Sequence, residues 1–336
     1  MKHLGRFAGQ LASVPITLFG LVLVTFLIGR VVPIDPVLAI VGDRAPESVV
    51  IATRHELGLD RPLPVQFVIY VGRLLHGDLG RSVLTTHPVT TDIGVFFPAT
   101  LELATAALIV AAGVGVPLGV WAATRQGRWV DQAVRVFALT GYSVPVFVLA
   151  LMALLVFYAQ LGWAPGPGRQ GVAYEDMVPV RTGLLLVDAA WAGDWGSFWD
   201  GVRHLVLPAL VLGVANMAFM ARMTRAFMLD ALAGEFIVTA RAKGLSAARV
   251  VWGHAFGNIL VRLVTILALT YAGLLEGAVL TETVFSWPGL GQYLTSSLLN
   301  ADMNAVLGAT LVVGLTYVGL NLVADLLYGV FDPRTR

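Results

Sequence analysis

The sequence contains no cysteine and only two lysines among its 336 residues, and charged side chains make up 13% of it. Without cysteine there is no disulfide, no thiolate metal ligand and no cysteine nucleophile. A phosphate-binding P-loop needs a Gly-Lys pair followed by serine or threonine, and neither Lys2 nor Lys243 has those neighbours. If ATP is used, another chain must therefore bind it and its magnesium ion.

Other enzyme signatures are also missing. The six histidines show no zinc-binding spacing, and Gly141-Tyr142-Ser143-Val144-Pro145 lacks the second glycine of a hydrolase nucleophile elbow. The formal net charge of +1 gives no basic excess for a nucleic-acid partner. The sequence therefore predicts a chain that is not an enzyme, carries no cofactor or metal of its own and binds no nucleic acid.

Apolar residues, in contrast, make up 57% of the chain and gather in long runs. A bilayer core of about 30 Å requires about 20 apolar residues in a helix, because a helix satisfies its own backbone where water is absent. We therefore predict an all-α integral membrane protein. Six transmembrane helices are predicted at approximately Leu11–Gly29, Ala99–Ala123, Val136–Leu161, Leu205–Met223, Leu263–Thr281 and Ala305–Tyr328. Arg30-Val31-Val32-Pro33 offers no small-residue cleavage site, so the first run is interpreted as a membrane span and not as a signal peptide.

The positive charges close to these runs indicate their orientation. Arginine and lysine collect in the connections between spans two and three and between spans four and five, and near both termini. The other loops are longer and carry most of the acidic residues. Both termini are therefore predicted to be cytoplasmic. The predicted regions are a first helix at 1–30, an extracytoplasmic segment at 31–98, a five-helix core at 99–330 with an outer loop at 162–204 and a cytoplasmic loop at 229–258, and a cytoplasmic tail at 331–336.

Helices are also predicted outside the spans. Ala45–Leu57 and Pro64–Leu75 have helical apolar spacing, so the first outer segment is either a lid or a docking surface. Trp191, Trp195 and Trp199 are four residues apart, which predicts one interfacial helix with three indoles on one face. In the second span, Gly113, Gly115 and Gly119 include a small-xxx-small pair, which predicts close packing of two helices.

The cytoplasmic loop between spans four and five reads as a helix–Gly–helix elbow. Residues 240–243 are good helix formers, Gly244 suits the left-handed position that ends a helix, and Ser246 can cap the next one. We expect Phe236, Ala240 and Leu245 to form an apolar knob beside basic side chains, which could enter a groove of a partner. From the residues alone, an ordinary solvated basic loop is an equal alternative.

At this elbow the sequence resembles the ABC importer permeases of the dipeptide/oligopeptide (peptide/nickel) family. The resemblance is carried by Thr239-Ala240-Arg241-Ala242-Lys243-Gly244-Leu245 with His254 and Asn258, and it extends over nearly the whole chain. Further familial runs are Leu57–Gln66, Gly77–Ser82, Pro98–Leu103, His204–Leu210, Glu282–Gly291 and Asp332–Arg336. One departure is Val261-Arg262, where relatives often have Leu-Pro, so the second elbow helix runs into span five without a proline break.

The resemblance implies a type I ABC importer permease fold in the cytoplasmic membrane. It implies a second, similar permease, two ATP-binding-cassette ATPase subunits, an extracytoplasmic solute-binding protein and a peptide substrate. It also implies that the elbow is a coupling helix seated in an ATPase groove. The residues expected to couple to the ATPase subunit are Glu235, Thr239, Ala240, Arg241, Ala242, Lys243, Gly244, Leu245 and Arg249.

Two questions stay open at this point. Similar permeases are associated with nickel, glutathione and other small solutes, so the substrate is not settled by the resemblance. The carboxylates predicted at membrane depth are Glu102, Glu276 and Asp325. We interpret Glu276, together with Asn216, as structural or pore-lining polarity. Glu276 could instead couple an ion in a secondary transporter, and a membrane scaffold that conducts nothing is a further alternative.

Overall fold

The computed structural model describes residues 2–31, 36–42, 44–56 and 58–331. These residues form helices and connecting loops, and none of them belongs to a β-strand. The α-helices are α1 (Lys2–Val31), α2 (Pro36–Val41), α3 (Glu47–Glu56), α4 (Leu63–Leu75), α5 (Val89–Thr124), α6 (Trp129–Ser143), α7 (Val146–Ala153), α8 (Leu185–Ala192), α9 (Trp195–Leu232), α10 (Glu235–Ala242), α11 (Phe256–Val284), α12 (Leu290–Leu299) and α13 (Met303–Phe331). Two π-helical segments, Leu154–Gln160 and Arg249–Ala255, continue α7 and precede α11, and Val172–Tyr174 is a short 3₁₀ helix.

Four of these helical stretches are long and apolar enough to cross a membrane. They are Val89–Thr124, Trp195–Leu232, Arg249–Val284 and Met303–Ala324. Each contains one of the predicted spans or most of it. The predicted first span lies in α1, whose described apolar part is the shorter stretch Val14–Gly29. The two helices predicted between the first two spans are present as α3 and α4, although Leu57 lies outside the described residues.

The predicted third span, Val136–Leu161, is not one uninterrupted helix. It divides into α6 and α7, and Val144 between them is extended, with φ −91° and ψ 123°. Pro145 explains the break, because its ring disfavours helical backbone at the preceding residue and it has no N–H for the helix ladder. The apolar part after the break, Val146–Gln160, is therefore shorter than the predicted span.

The prediction of a single helix with three indoles is wrong. Gly193 adopts the left-handed conformation, with φ 73°, and ends α8, so Trp191 belongs to α8 while Trp195 and Trp199 belong to α9. Asp194 caps the new helix, since its carboxylate accepts hydrogen bonds from the backbone N–H and the hydroxyl of Ser197. All three indoles are nevertheless exposed, as expected of residues at a membrane interface.

The chain divides into two compact units, and the larger one contains residues 100–287 and 319–336. Its longest helix is α9, against which two glycines of α5, Gly115 and Gly119, pack. A Cβ atom at Gly115 would lie 2.6 Å from the carbonyl oxygen of Met217, and one at Gly119 would lie 2.6 Å from that of Ala221. The two backbones can approach this closely only because glycine has no side chain. The predicted small-xxx-small packing is therefore confirmed for this pair.

The other unit contains residues 1–99 and 288–318. Two buried carboxylates organise its loops. Asp302 accepts hydrogen bonds from the Ser82 hydroxyl at 2.5 Å and from the N–H groups of Val83 and Leu84 at 2.7 and 3.1 Å. Asp92 accepts from the Tyr293 hydroxyl at 2.9 Å. The bonds to Asp302 join the turn before α5 to the segment after α12, and the bond to Asp92 joins the start of α5 to α12 itself. No local sequence pattern predicts either connection.

The glycine contact between α5 and α9 generates a test with a matched control. We expect Gly119→Val to destabilise the detergent-solubilised protein by about 1–3 kcal/mol, the usual cost of overpacking, because the new side chain meets the α9 backbone. Gly113→Val should have little effect, since a Cβ atom at Gly113 has no neighbour within 4 Å. Thermal unfolding followed by circular dichroism compares the two variants. Equal melting temperatures would contradict the close packing.

Candidate functional site: the elbow between α9 and α11

The first arm of the elbow is α10, and it ends at the predicted left-handed glycine. Gly244 is left-handed, with φ 74°, and its N–H donates to the Arg241 carbonyl oxygen at 2.9 Å. The N–H of Leu245 donates to the Ala240 carbonyl oxygen at 3.3 Å. This pair of bonds is a Schellman motif, and the predicted helix end at Gly244 is confirmed. Since an L side chain in this conformation is strained, glycine is the residue best suited to the position.

One face of the elbow packs on the chain itself. In α10, Ile237 is 1% exposed and Ala240 5% exposed. They share a core cluster with Met228 of α9 and with Val250 and Ile259, which lie in the second arm of the elbow and in the helix α11 that continues it. Leu245 is half-buried against the same cluster. Both arms are thus fixed to the end of α9 by apolar contacts, so the elbow is a packed, structured element.

The other face of the elbow is exposed and mixes apolar with basic side chains. Phe236 is 40% exposed and Val238 68% exposed. The exposed residues among those singled out in the sequence are Glu235, Thr239, Arg241, Ala242, Lys243, Gly244 and Arg249. The expected knob of Phe236, Ala240 and Leu245 does not form as one exposed surface, because Ala240 points into the core cluster and Leu245 is half-covered. Val238, which the sequence analysis did not select, lies on the exposed face instead.

The second arm runs without interruption into the membrane-spanning helix. Residues 247–284 are helical throughout, with the π-helical segment Arg249–Ala255 leading directly into α11. The backbone carbonyl of Ser246 accepts the N–H of Val250 at 3.0 Å, which places Ser246 at the start of this helix. The predicted absence of a proline break is confirmed. The elbow is therefore joined to α11 by continuous helix on one side and to α9 by packed apolar contacts on the other.

An ion pair anchors α9 about two helical turns before its end. The Arg225 guanidinium donates to both carboxylate oxygens of Asp131 in α6, at 2.5 and 2.8 Å, and the Gly127 N–H donates to the same carboxylate at 3.0 Å. Asp131 is 2% exposed. The hydrogen bond from Arg225 lowers the pKa of Asp131 from 3.8 to about 2, although burial opposes the shift. The role of Asp131 was not predicted, although an acidic residue among the arginines of the predicted cytoplasmic loop is a signal for such an ion pair.

The other polar residues expected at membrane depth occupy different environments. Glu102 is not a free carboxylate, because it accepts two hydrogen bonds from Arg169, at 2.6 and 3.0 Å, and one from the Leu186 N–H at 2.8 Å. Asn216 donates to the carbonyl oxygen of Leu212 in its own helix at 3.1 Å. Glu276 lies on an exposed face of α11. Asp325 has a side chain outside the described part of the structure.

The described residues contain no cluster of three or more histidine or acidic side chains that could hold a metal ion. The site is thus an exposed apolar and basic surface on an internally packed elbow. Its chemistry suits protein–protein contact.

Comparison with known proteins identifies the family. Residues 115–336 match the model of the binding-protein-dependent transport system inner membrane component, and residues 6–104 match the model of the N-terminal part of such membrane components. The chain belongs to this family of inner membrane transport components. It is accordingly a transport permease subunit of the inner membrane.

Curated relatives extend over nearly the whole chain. The probable D,D-dipeptide transport system permease protein DdpB of Escherichia coli K12 is 44% identical over 315 residues, which cover 94% of this chain and 92% of that protein. The di/tripeptide transport system permease protein DppB of Pseudomonas aeruginosa is 43% identical over 321 residues, 95% of each chain. The dipeptide transport system permease protein DppB of E. coli K12 is 42% identical over 329 residues, again 95% of each.

The ion pair before the elbow generates a prediction about pH. The folded-state pKa of Asp131 lies below its unfolded value, so the pair stabilises the protein above about pH 4, and this contribution is lost as the pH falls toward 2. We expect Asp131→Asn to cost roughly 2–3 kcal/mol at neutral pH, the free energy that corresponds to the lowered pKa, and to remove that acid-dependent step, because Arg225 loses its partner. Melting temperatures measured between pH 2 and pH 7 test this.

The matched control is Asp230→Asn. Asp230 forms an exposed pair with Arg262 at 3.7 Å, and pairs of that kind contribute about 0–1 kcal/mol. If both substitutions lowered the melting temperature equally, the anchoring role of Asp131 would be refuted.

Proposed function

We propose that this chain is one of two permease subunits of an ATP-binding-cassette importer that moves di- and oligopeptides across the cytoplasmic membrane. The observation that carries the proposal is the elbow, which is buried against the chain on one face and exposed on the other. Two cytoplasmic ATPase subunits bind and hydrolyse ATP with magnesium, and one of them receives the exposed face of α10. A second, similar permease completes the pore, and an extracytoplasmic solute-binding protein delivers the peptide.

In this proposal the chain crosses the membrane six times with both termini in the cytoplasm. The four long apolar helices account for four crossings. The other two are assigned to α1 and to the pair α6 and α7, whose apolar parts are shorter. The basic residues of the elbow and of the loop between α5 and α6 then face the cytoplasm, as the distribution of positive charge favours.

The elbow residues divide into two roles in the proposal. Arg241, Lys243 and Arg249 are exposed and pair with acidic groups of the ATPase, while Phe236 and Val238 supply apolar contact area. Ala240 and Leu245 act from inside, because they hold the elbow to the core cluster. When the ATPase dimer closes on ATP, the elbow moves with it and transfers the displacement to α9 and α11, so the pore alternates between inward-open and outward-open states.

The peptide substrate is supported by the relatives, which are named as dipeptide and di/tripeptide permeases. Glu276 and Asn216 are proposed to contribute polarity to the pore. Glu276 is exposed on α11 in the isolated chain, as a residue facing a pore would be. Membrane-depth carboxylates generally face protein or water, which agrees with such a position.

Gly244 provides a test of coupling. We expect Gly244→Val to reduce ATP-dependent peptide uptake in proteoliposomes by at least about tenfold, because a β-branched residue disfavours the left-handed backbone that joins the two arms. Gly257→Val is the control, since Gly257 lies in α11 with no neighbour within 4 Å of an added Cβ atom. Co-purification of the ATPase with each variant separates assembly from transport. Normal uptake by Gly244→Val would remove the coupling role.

The basic part of the docking surface is tested separately. Arg241→Glu should weaken ATPase binding to the permease about tenfold at physiological salt, because it puts a like charge opposite the acidic groups proposed on the partner. Arg128→Glu makes the same charge change on the exposed loop between α5 and α6 and should leave ATPase binding unchanged. Binding is measured with purified subunits in nanodiscs. If the two variants bind alike, the electrostatic contribution is withdrawn.

A further inference from the structure

The smaller unit contains a cavity of about 780 Å³ that has no role in the function proposed above. Its walls come from α1, from α4 and the turn before it, from the loop at 78–86 and from the start of α13. Phe26 and Met303 are buried apolar residues of the lining, and Leu307 adds a further apolar side chain. A substantial part of the lining is thus suited to an apolar group.

Hydrogen bonds make the polar wall of this cavity rigid. The loop at 82–84 is tied to Asp302, and the Asn304 amide donates to the Arg81 carbonyl oxygen at 3.0 Å. The Arg81 guanidinium in turn donates to the Thr86 carbonyl oxygen at 2.8 Å. Thr86 and Ala301, which also line the cavity, both have left-handed backbone, with φ 61° and 62°. Non-glycine residues in this region are strained and tend to occur at functional sites.

Gln66 supplies the cavity with a hydrogen-bond acceptor that a ligand could satisfy. It lines the cavity and is 9% exposed. Its amide nitrogen donates to the carbonyl oxygens of Leu59 and Arg61, at 3.1 and 2.7 Å, so the orientation of the amide is set. The amide oxygen is buried with no hydrogen-bond partner among the described residues. A buried acceptor in this situation is costly unless an N–H or O–H donor reaches it.

The exposed part of the lining is charged with both signs. Arg73 and Arg81 provide two guanidinium groups, and Asp78 provides a carboxylate whose Oδ1 accepts the Gly80 N–H at 2.9 Å. Guanidinium groups bind carboxylates and phosphates well, and a carboxylate with a free oxygen binds an ammonium group. A ligand that satisfies the whole lining therefore carries an anionic group, an N–H donor and an apolar body.

We propose that this cavity binds a zwitterion with an apolar body, whose ammonium or amide N–H meets Gln66 and Asp78 and whose anionic group meets Arg73 and Arg81. A short peptide and the headgroup region of phosphatidylethanolamine share this chemistry. The peptide source rests on the proposed function, whereas the lipid source does not. In either case the site belongs to the permease and binds without the solute-binding protein.

Two binding measurements test the site in the complete transporter. The complex is placed in nanodiscs of phosphatidylcholine and phosphatidylglycerol without solute-binding protein, and equilibrium binding of tritiated L-alanyl-L-phenylalanine is measured. In parallel, complexes purified from membranes containing phosphatidylethanolamine are examined by native mass spectrometry for retained lipid. We expect saturable binding of the dipeptide or retention of one phosphatidylethanolamine per permease, and the positive measurement identifies the source.

Variants locate the binding in the cavity. Arg73→Glu should weaken binding about tenfold or more, since it reverses the charge that meets the anionic group. Gln66→Leu should have a similar effect, but it also removes the donors that hold the turn at 59–61, so the exposed Arg73 is the decisive position. Arg61→Glu is the matched control, because Arg61 is exposed in the same unit and does not line the cavity.

The proposal is overturned if wild-type protein binds neither probe, or if Arg73→Glu binds as well as Arg61→Glu. ATP-dependent uptake with the solute-binding protein is measured on the same preparations. Normal uptake without binding of either probe refutes the cavity site alone. Absent uptake in wild type counts against the proposed importer function, while probe binding that is lost in Arg73→Glu still supports the site.

Discussion

The contact between α5 and α9 is the constraint on which the arrangement of the elbow depends. At Gly115 and Gly119 the two helices approach so closely that a Cβ atom on α5 would overlap the α9 backbone. In a membrane, helices associate largely through such packing, because burial from water offers little driving force between apolar surfaces. A helix held in this way moves as a unit, and α9 ends directly before the elbow.

The ion pair between Asp131 and Arg225 complements this packing. Glycine contacts set the distance between helices, but they resist sliding along the helix axis only weakly. The bidentate ion pair fixes the register of α9 against α6, because both guanidinium hydrogen bonds are lost together if these two helices slide past each other. The apolar cluster of Ile237, Val250 and Ile259 then joins both arms of the elbow to the same helix end. The elbow is therefore connected to the bundle through the apolar cluster, and α9 is held there by the ion pair with α6 and by the glycine packing with α5.

The cavity in the smaller unit differs from the elbow in shape and in the chemistry of its surface. The elbow offers a convex surface with partly exposed apolar side chains, which is typical of protein docking. The cavity offers an unpaired buried acceptor and charges of both signs on a wall stiffened by Asp302, which is typical of a site for a small molecule. A permease that contained both would meet its protein partner and a small ligand with separate parts of its chain.

Three features of the structure could be predicted from the sequence alone. They are the helical class, the approximate position of the long apolar helices, and the helix end at Gly244. Each depends on apolar run length or on the conformational preference of a single residue, which are local properties. Tertiary structure decided which residues meet across long separations, such as Asp131 with Arg225 and Ser82 with Asp302. It also turned Ala240 inward and left Val238 outward, because only the packing of α10 on α9 selects which face of so short a helix is buried.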